Sequence, residues 1–160
     1  MIRFAVLNKN EKDIWLCRLF DLFYRNMQEI APTDLSYEQE KQQWLSNVSP
    51  ALDKDPRQIL LCFDGDVLAG YVQYYTNQKL LMIEEIQIEK AYQRTTLFYG
   101  ICTNLADMLP KRIETVEAYA HKKNLYSRQL MAKLGMAQIG EEGPFVHLQG
   151  SADSLRRYFK

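Results

Sequence analysis

Hydrophobic residues in the N-terminal third of the chain recur at helical spacing after one short strand-like segment. Residues 2–7 predict a strand, and from Asn10, a candidate N-cap, apolar side chains recur every three or four positions. This stripe consists of Ile14, Leu16, Leu19, Phe20, Phe23 and Met27. After a break at 31–34, Ser36 with Gln39 has the form of a capping box and opens a second helix.

The middle of the chain changes to the shorter period of a β-sheet. Residues 58–63, 67–75 and 80–88 are rich in β-branched, aromatic and other apolar side chains and predict three successive strands. The turn sequences "DGD" and "TNQK" separate them. Short turns between consecutive strands favour an antiparallel meander.

The last part of the chain alternates helical and strand periods again. Its predicted elements are a helix over 95–109, a strand over 113–120, a helix over 124–134, a hairpin from strands 136–140 and 144–150, and a short helix over 151–159. Pro110 ends the first of these helices, Asn124 can cap the second, and Gly135 suits the left-handed conformation after its end. The whole order predicts an α+β fold with a sheet covered on both faces.

Composition limits the class of protein. With 160 residues, 47% of them hydrophobic, the chain predicts a single domain over residues 1–160. Lys plus Arg and Asp plus Glu number 20 each, so no basic field favours a nucleic-acid or anionic-membrane partner. Early charges argue against a secretory signal, and no apolar stretch is long enough to span a membrane, which favours a cytoplasmic protein.

The three cysteines do not indicate a metal site or a disulfide framework. Cys17, Cys62 and Cys102 are odd in number, widely spaced and set among apolar neighbours, so we expect buried free thiols. The only histidines are His121 and His147, and Cys–His chemistry has little support.

Two motifs, together with the order of elements, resemble the GNAT superfamily of acyl-CoA-dependent N-acetyltransferases. The first is a strand, an aromatic residue, Gln or Arg, and a Gly-x-Gly or Gly-x-Ala helix entry; Ile88, Tyr92 and Gln93 fit it. The second is an Asn before a helix that ends in "KLG" and an apolar residue; Asn124 and residues 133–136 fit it. The resemblance in element order covers nearly the whole chain. It implies a mixed, mostly antiparallel sheet with helices on both faces.

The first motif lacks its glycines, because Thr96 and Phe98 occupy their positions. The resemblance implies that backbone N–H groups of this turn bind the pyrophosphate of CoA, and such donors do not depend on side-chain identity. The implied cofactor-binding residues are Gln93, Arg94, Thr95, Thr96, Leu97 and Phe98. Two alternatives stay open: the Phe98 ring blocks the phosphates, or Thr95 caps an ordinary helix and Phe98 packs inward.

The resemblance places a general base on the strand before this turn. An alkylamine with a pKa near ~10.4 must lose a proton before it attacks a thioester. Glu84 and Glu85 are the candidates; alternation predicts opposite faces, and we favour Glu85. The plainer alternative is a pair of solvated or salt-bridged glutamates. The backbone of Ile86, Gln87 and Ile88 is implied to hold pantetheine and the acetyl carbonyl.

The second motif also departs from the family. Asn124 is implied to contact pantetheine, although it would be present as a plain N-cap. The tyrosine that commonly protonates the CoA thiolate is replaced by Met131. Ser127 lies one turn earlier on the same helix face, while Tyr126 lies well round the helix from it.

We therefore expect transfer of an acetyl group from acetyl-CoA to a primary amine of a small molecule or peptide by direct attack. The main alternative is a catalytically weak or inactive binding or regulatory module with the same fold. A third is a structural domain that binds a protein partner through its sheet edges. A homodimer remains open, and no metal is expected.

Overall fold

The computed structural model describes residues 1–54 and 56–158. Its strands are β1 (Ile2–Val6), β2 (Gln58–Asp64), β3 (Val67–Asn77), β4 (Leu80–Ile88), β5 (Thr115–His121), β6 (Ala137–Glu142) and β7 (Phe145–Ser151). Its α-helices are α1 (Lys12–Ile30), α2 (Tyr37–Leu52), α3 (Leu97–Met108), α4 (Leu125–Lys133) and α5 (Ala152–Tyr158). Short 3₁₀ turns span Lys9–Glu11 and Lys90–Tyr92.

The strands form one sheet in the order β1-β2-β3-β4-β5-β7-β6. Every neighbouring pair is antiparallel except β4 and β5, which run parallel. That parallel pair is short: Leu80–Ile83 face residues 115–118, and no further residues of the two strands are paired. The predicted mixed, mostly antiparallel sheet is therefore confirmed, and its two central strands part toward their C-terminal ends.

Helices cover both faces of the sheet, as predicted. One cluster of buried side chains joins α3, α4 and α5 to the sheet, and we call this side the α3–α5 face. The other joins α1 and α2 to the sheet, and we call it the α1–α2 face. Strand β2 supplies both, because Leu60 and Cys62 belong to the first cluster while Ile59 and Leu61 belong to the second.

The helix ends agree with the sequence in two places. Ser36 Oγ accepts a hydrogen bond from the backbone N–H of Gln39 (3.2 Å), and Gln39 Oε1 accepts one from the N–H of Ser36 (2.9 Å), so the capping box is complete. Gly135 has a φ of 82°, the left-handed conformation expected after α4.

Three expectations for the N-terminal region were wrong. Asn8, not Asn10, provides the cap: its side chain accepts a hydrogen bond from the N–H of Asn10 and closes the 3₁₀ turn that precedes α1. Ile14 is 70% exposed, because it lies on the outer side of α1. Cys17 is exposed for the same reason, whereas Cys62 and Cys102 are buried. At the other end of the chain, Phe159 of the predicted last helix lies outside the described residues.

Within the described ranges, no helix combines the length and the apolar character that a membrane span requires.

Candidate functional site

A cleft of about 330 Å³ opens where β4 and β5 part, between the end of β4 and helix α4. We call it the β4–α4 cleft. Seven of the residues predicted to bind cofactor line it: Ile86, Gln87, Ile88, Gln93, Phe98, Asn124 and Ser127. Two distant segments of the sequence, joined in the prediction only by the family resemblance, therefore meet at one cavity.

The end of β4 is held by two side-chain amides. Asn26, from α1, donates to the carbonyl oxygen of Ile88 (3.0 Å) and to Oε1 of Gln87 (3.0 Å). Gln93 Nε2 donates to the same Ile88 carbonyl (3.1 Å). Gln93 thus connects the turn after β4 to the strand itself. Asn26 was not predicted, because nothing in its local sequence distinguishes it from other polar residues of an amphipathic helix.

The turn after β4 does not need glycine at the positions that Thr96 and Phe98 occupy. Thr96 has φ −78° and ψ −1°, a right-handed conformation that any residue adopts. The left-handed residue is Arg94, with a φ of 60°. The Thr95 hydroxyl donates to the Tyr92 carbonyl (2.5 Å) and accepts from the N–H of Leu97 (3.3 Å), so hydrogen bonds hold the turn.

Phe98 and Leu97 both pack into the core. Their side chains are 2% and 3% exposed and belong to the cluster on the α3–α5 face. The Phe98 ring forms part of the cleft wall without standing free in it. Of the two alternatives left open for this ring, the structure shows the inward one. Leu97 does not line the cleft, so its predicted contact with cofactor has no side-chain support.

A second cleft of about 350 Å³ lies on the outer side of the turn, and we call it the turn cleft. Its lining includes the cationic side chains of Arg94 and Lys133, and none of the described residues that line it is acidic. The backbone N–H groups of Thr95, Thr96 and Phe98 have no hydrogen-bond partner among the described residues. Free N–H groups beside two cations favour an anionic ligand.

The two candidate catalytic glutamates lie at a β-bulge. In the register of β3 with β4, Gln73 faces Glu85 and Tyr74 faces Ile83, so Glu84 is the extra residue. The bulge interrupts the alternation that predicted opposite faces. Glu85 contacts the α1–α2 face, and Glu84 reaches Arg57, which also hydrogen-bonds Gln73 of β3.

Glu85 has the more unusual environment of the two. It accepts hydrogen bonds from the hydroxyl of Tyr71, which is fully buried, and from Nε1 of Trp44 (3.3 Å). Burial raises the pKa of its carboxyl to about 7, although the hydrogen bonds from Tyr71 and Trp44 act in the opposite direction. Glu84 is paired with Arg57 at 3.8 Å, near the surface. Neither glutamate lines the β4–α4 cleft; Glu85 lies two residues before Gln87, which does.

Helix α4 supplies the opposite wall of the cleft. Asn124 Oδ1 accepts a hydrogen bond from the N–H of Ser127 (3.1 Å), which is the N-cap role foreseen for it. Met131 is 3% exposed and lines the cleft at the position where the family commonly has a proton-donating tyrosine. Tyr126 is closer to the site than its helical position indicated, because it lines both clefts and its hydroxyl accepts a hydrogen bond from the N–H of Arg94 (2.9 Å).

Comparison with known proteins identifies this architecture. No protein-family model matches the chain, and no curated protein does. Among solved structures, it is similar to the PaiA N-acetyltransferase from Thermoplasma acidophilum in complex with coenzyme A (11% identity, TM-score 0.74, 94% of this chain and 99% of that one). It is also similar to the nucleotide-linked sugar GNAT FdhC (12% identity, TM-score 0.65, 97% and 89%) and to the aminoglycoside acetyltransferase AAC(6')-Ib in complex with coenzyme A (12% identity, TM-score 0.68, 100% of both chains).

The chain has the GNAT fold. At these identities the likeness extends to the fold, so the chemistry must be argued from the residues. The resemblance stated from the sequence is confirmed at this level. Within the GNAT fold of this chain, the departures are concentrated in two places: the turn without glycines at 93–98, and Met131 on α4.

Proposed function

We propose that the protein transfers an acetyl group from acetyl-CoA to a primary amine of a small molecule or peptide. The observation that carries the proposal is the adjacency of the β4–α4 cleft and the cationic turn cleft, which share three lining residues, Phe98, Tyr126 and Leu130. The first has a mixed polar and apolar lining and the second offers free N–H groups and positive charge, which suits a ligand with a slender arm and a phosphate end. Structural neighbours in complex with coenzyme A support the same ligand.

In this proposal the pantetheine arm lies along the backbone of residues 86–88 and against Asn124 and Ser127, while the phosphates lie at residues 93–98. Gln93 acts through the strand, because its amide holds the Ile88 carbonyl. The N–H groups of Thr95, Thr96 and Phe98 are the phosphate donors, with Arg94 adding charge.

Glu85 is the proposed general base. Its pKa of about 7, raised by burial, means that the carboxylate is available at neutral pH and still basic enough to take a proton from an ammonium group. The ammonium group gives one proton to Glu85 through water, and the resulting amine nitrogen bonds to the acetyl carbon. The carbon–sulfur bond breaks, and the departing thiolate takes the second proton of the nitrogen through water. Glu84 has a supporting electrostatic role at most, because Arg57 pairs with it.

One observation favours the alternative function, a binding or regulatory module that does not catalyse transfer. Met131 has a buried thioether at the position where the GNAT family commonly has a proton-donating tyrosine. A thiol with a pKa near ~8.5 leaves tolerably as a thiolate, so the missing donor reduces the rate without abolishing it. We therefore keep transfer as the proposal, and we propose that it takes place in the cytoplasm.

The first test is thermal stability with acetyl-CoA. A ligand at 100 times its dissociation constant stabilises the folded state by about 2.7 kcal/mol, so a clear rise in Tm is expected. An unchanged Tm at millimolar acetyl-CoA would remove both the enzyme and the CoA-binding module. If Tm rises, release of free thiol across a panel of amines distinguishes these two functions.

The second test concerns Glu85. In the wild type, kcat/KM should rise with pH through a pKa near 7, because the basic carboxylate is the active form. Glu85→Gln should lower the rate and remove that inflection, while the Kd for acetyl-CoA stays the same. Glu84→Gln is the matched control and should retain the inflection. An unaltered rate in Glu85→Gln would discard this residue as the base.

A further inference from the structure

Tyr126 occupies the boundary between the two clefts. Among the described residues, Phe98, Tyr126 and Leu130 line both cavities, and Tyr126 is the one of these three that carries a polar group. Its ring comes from the first turn of α4, but its hydroxyl reaches the turn after β4, 32 residues away in sequence. A polar group at this boundary lies where the slender and the anionic parts of a ligand would join.

The hydroxyl of Tyr126 has an unused donor. A phenol accepts through its oxygen and donates one proton. The oxygen accepts the backbone N–H of Arg94 at 2.9 Å, a normal hydrogen bond. The hydroxyl proton has no acceptor among the described residues. Since this proton rotates about the C–O bond, it is available to an acceptor that enters either cleft.

The hydrogen bond that Tyr126 accepts holds an unfavourable backbone conformation at Arg94. Arg94 has a φ of 60°, a left-handed conformation that is sterically unfavourable for a residue with a side chain. Glycine would adopt it without that cost. In this chain no glycine is present in residues 93–98, and the bond from Arg94 N–H to Tyr126 holds the left-handed residue in place. The hydrogen bond therefore stabilises a left-handed conformation at a residue that is not glycine.

We propose that Tyr126 is a phosphate-binding residue of the acyl-CoA site. Its oxygen fixes Arg94 and thereby the turn, and its hydroxyl proton is donated to a phosphate oxygen of the ligand, beside the side chains of Arg94 and Lys133. This inference rests on the proposed function, because it assumes that acyl-CoA is the ligand. It assigns Tyr126 to recognition of the phosphate end and not to protonation of the leaving thiolate.

The test compares Tyr126→Phe with the wild type, using CoA and pantetheine as probes. Pantetheine keeps the arm and thiol but has no phosphate. A hydrogen bond to a charged group corresponds to a change of about tenfold to a hundredfold in Kd, so Tyr126→Phe should weaken CoA by that factor. Pantetheine binding should not change. Tyr119→Phe removes a hydroxyl from β5, outside both clefts, and serves as the matched control with unchanged CoA binding.

The outcomes separate this inference from the proposed function. If wild-type protein binds no CoA, the proposed function fails. If it binds CoA and Tyr126→Phe binds it equally well or more tightly, the phosphate role of Tyr126 is wrong. Equal weakening of CoA and pantetheine would show a merely structural residue, and an unchanged Kd with a lower kcat would show a proton donor; either result overturns the inference. The Tm of the ligand-free variant checks that it folds.

Discussion

Phe98 stands at a helix entry where the GNAT motif has a small residue, yet its side chain is only 2% exposed. Leu97 and Ile101 are buried in the same cluster, so the first turn of α3 is anchored by apolar side chains. The ring therefore supports the wall of the site from behind. We infer that the packed Phe98 side chain makes the start of α3 more rigid. A glycine at this position would instead let a ligand approach the backbone more closely.

This position gives the first prediction. Truncation of a buried phenylalanine typically costs about 3–5 kcal/mol, so Phe98→Ala should lower the free energy of unfolding by that amount in urea denaturation. It should not tighten CoA binding, because the ring does not occupy the space of the phosphates. Phe98→Leu, which keeps most of the volume, should lose much less. A marked fall in the Kd for CoA in Phe98→Ala would instead show that the ring obstructs the site.

Glu85 gives the second prediction, on stability. Its folded-state pKa is raised to about 7, so between pH 4.5 and 7 the native protein binds more protons than the unfolded chain. Wild-type stability therefore falls as pH rises through this window. Glu85→Gln cannot ionise and should gain on the wild type by about 3 kcal/mol between pH 5 and pH 8. Urea unfolding at the two pH values measures this gain, and a difference independent of pH would contradict the raised pKa.

Some site residues could be predicted from the sequence and others could not, for a physical reason. Gln93 and Asn124 have roles fixed by neighbours within a few positions, and local motifs record such roles. Asn26 and Tyr126 act across separations of 61 and 32 residues, so only the packed fold brings them to their partners. The left-handed conformation of Arg94 was also not predictable, because the glycines of the GNAT motif stand at positions 96 and 98 and not at 94.

At the scale of elements, the spacing of hydrophobic residues predicted the strands and helices. It did not predict the β-bulge in β4, where one residue has no partner on β3. Glu84 and Glu85 are both polar, so the pattern does not reveal where alternation is interrupted. The bulge increases the local bend of β4. It falls immediately after Ile83, the last residue of β4 paired with β5, and thus at the start of the gap that forms the cleft.

The third prediction tests this bulge. Deletion of Glu84 should leave the pairs of Ile83 with Tyr74 and of Glu85 with Gln73 intact, since those residues are already consecutive partners. The strand should straighten and approach β5, which narrows the cleft. We expect a folded protein, by circular dichroism, with at least tenfold weaker CoA binding. Glu84→Ala keeps the extra residue and should bind CoA normally; equal binding by both variants would dissociate the bulge from the cleft.

At the scale of the whole molecule, the sheet divides the core into two clusters that share its strands. The α1–α2 face contains both tryptophans, Trp44 as a buried member and Trp15 packed against it. The α3–α5 face contains α3, α4 and α5. Because consecutive residues of β2 belong to opposite clusters, neither side can lose its strand without exposing the other. The β4–α4 cleft lies between these sides, with Asn26 from α1 and Ser127 from α4 both lining it.

The last prediction follows from this shared sheet. Unfolding should be a single cooperative transition, in which tryptophan fluorescence, which reports the α1–α2 face, coincides with far-UV circular dichroism, which reports every element. Leu19→Ala on one face and Leu105→Ala on the other remove fully buried side chains, and each should cost about 2–5 kcal/mol. Both variants should shift the two signals together. If Leu105→Ala lowered the circular-dichroism midpoint while the fluorescence midpoint stayed in place, the α3–α5 face would be a separate folding unit, which contradicts the prediction.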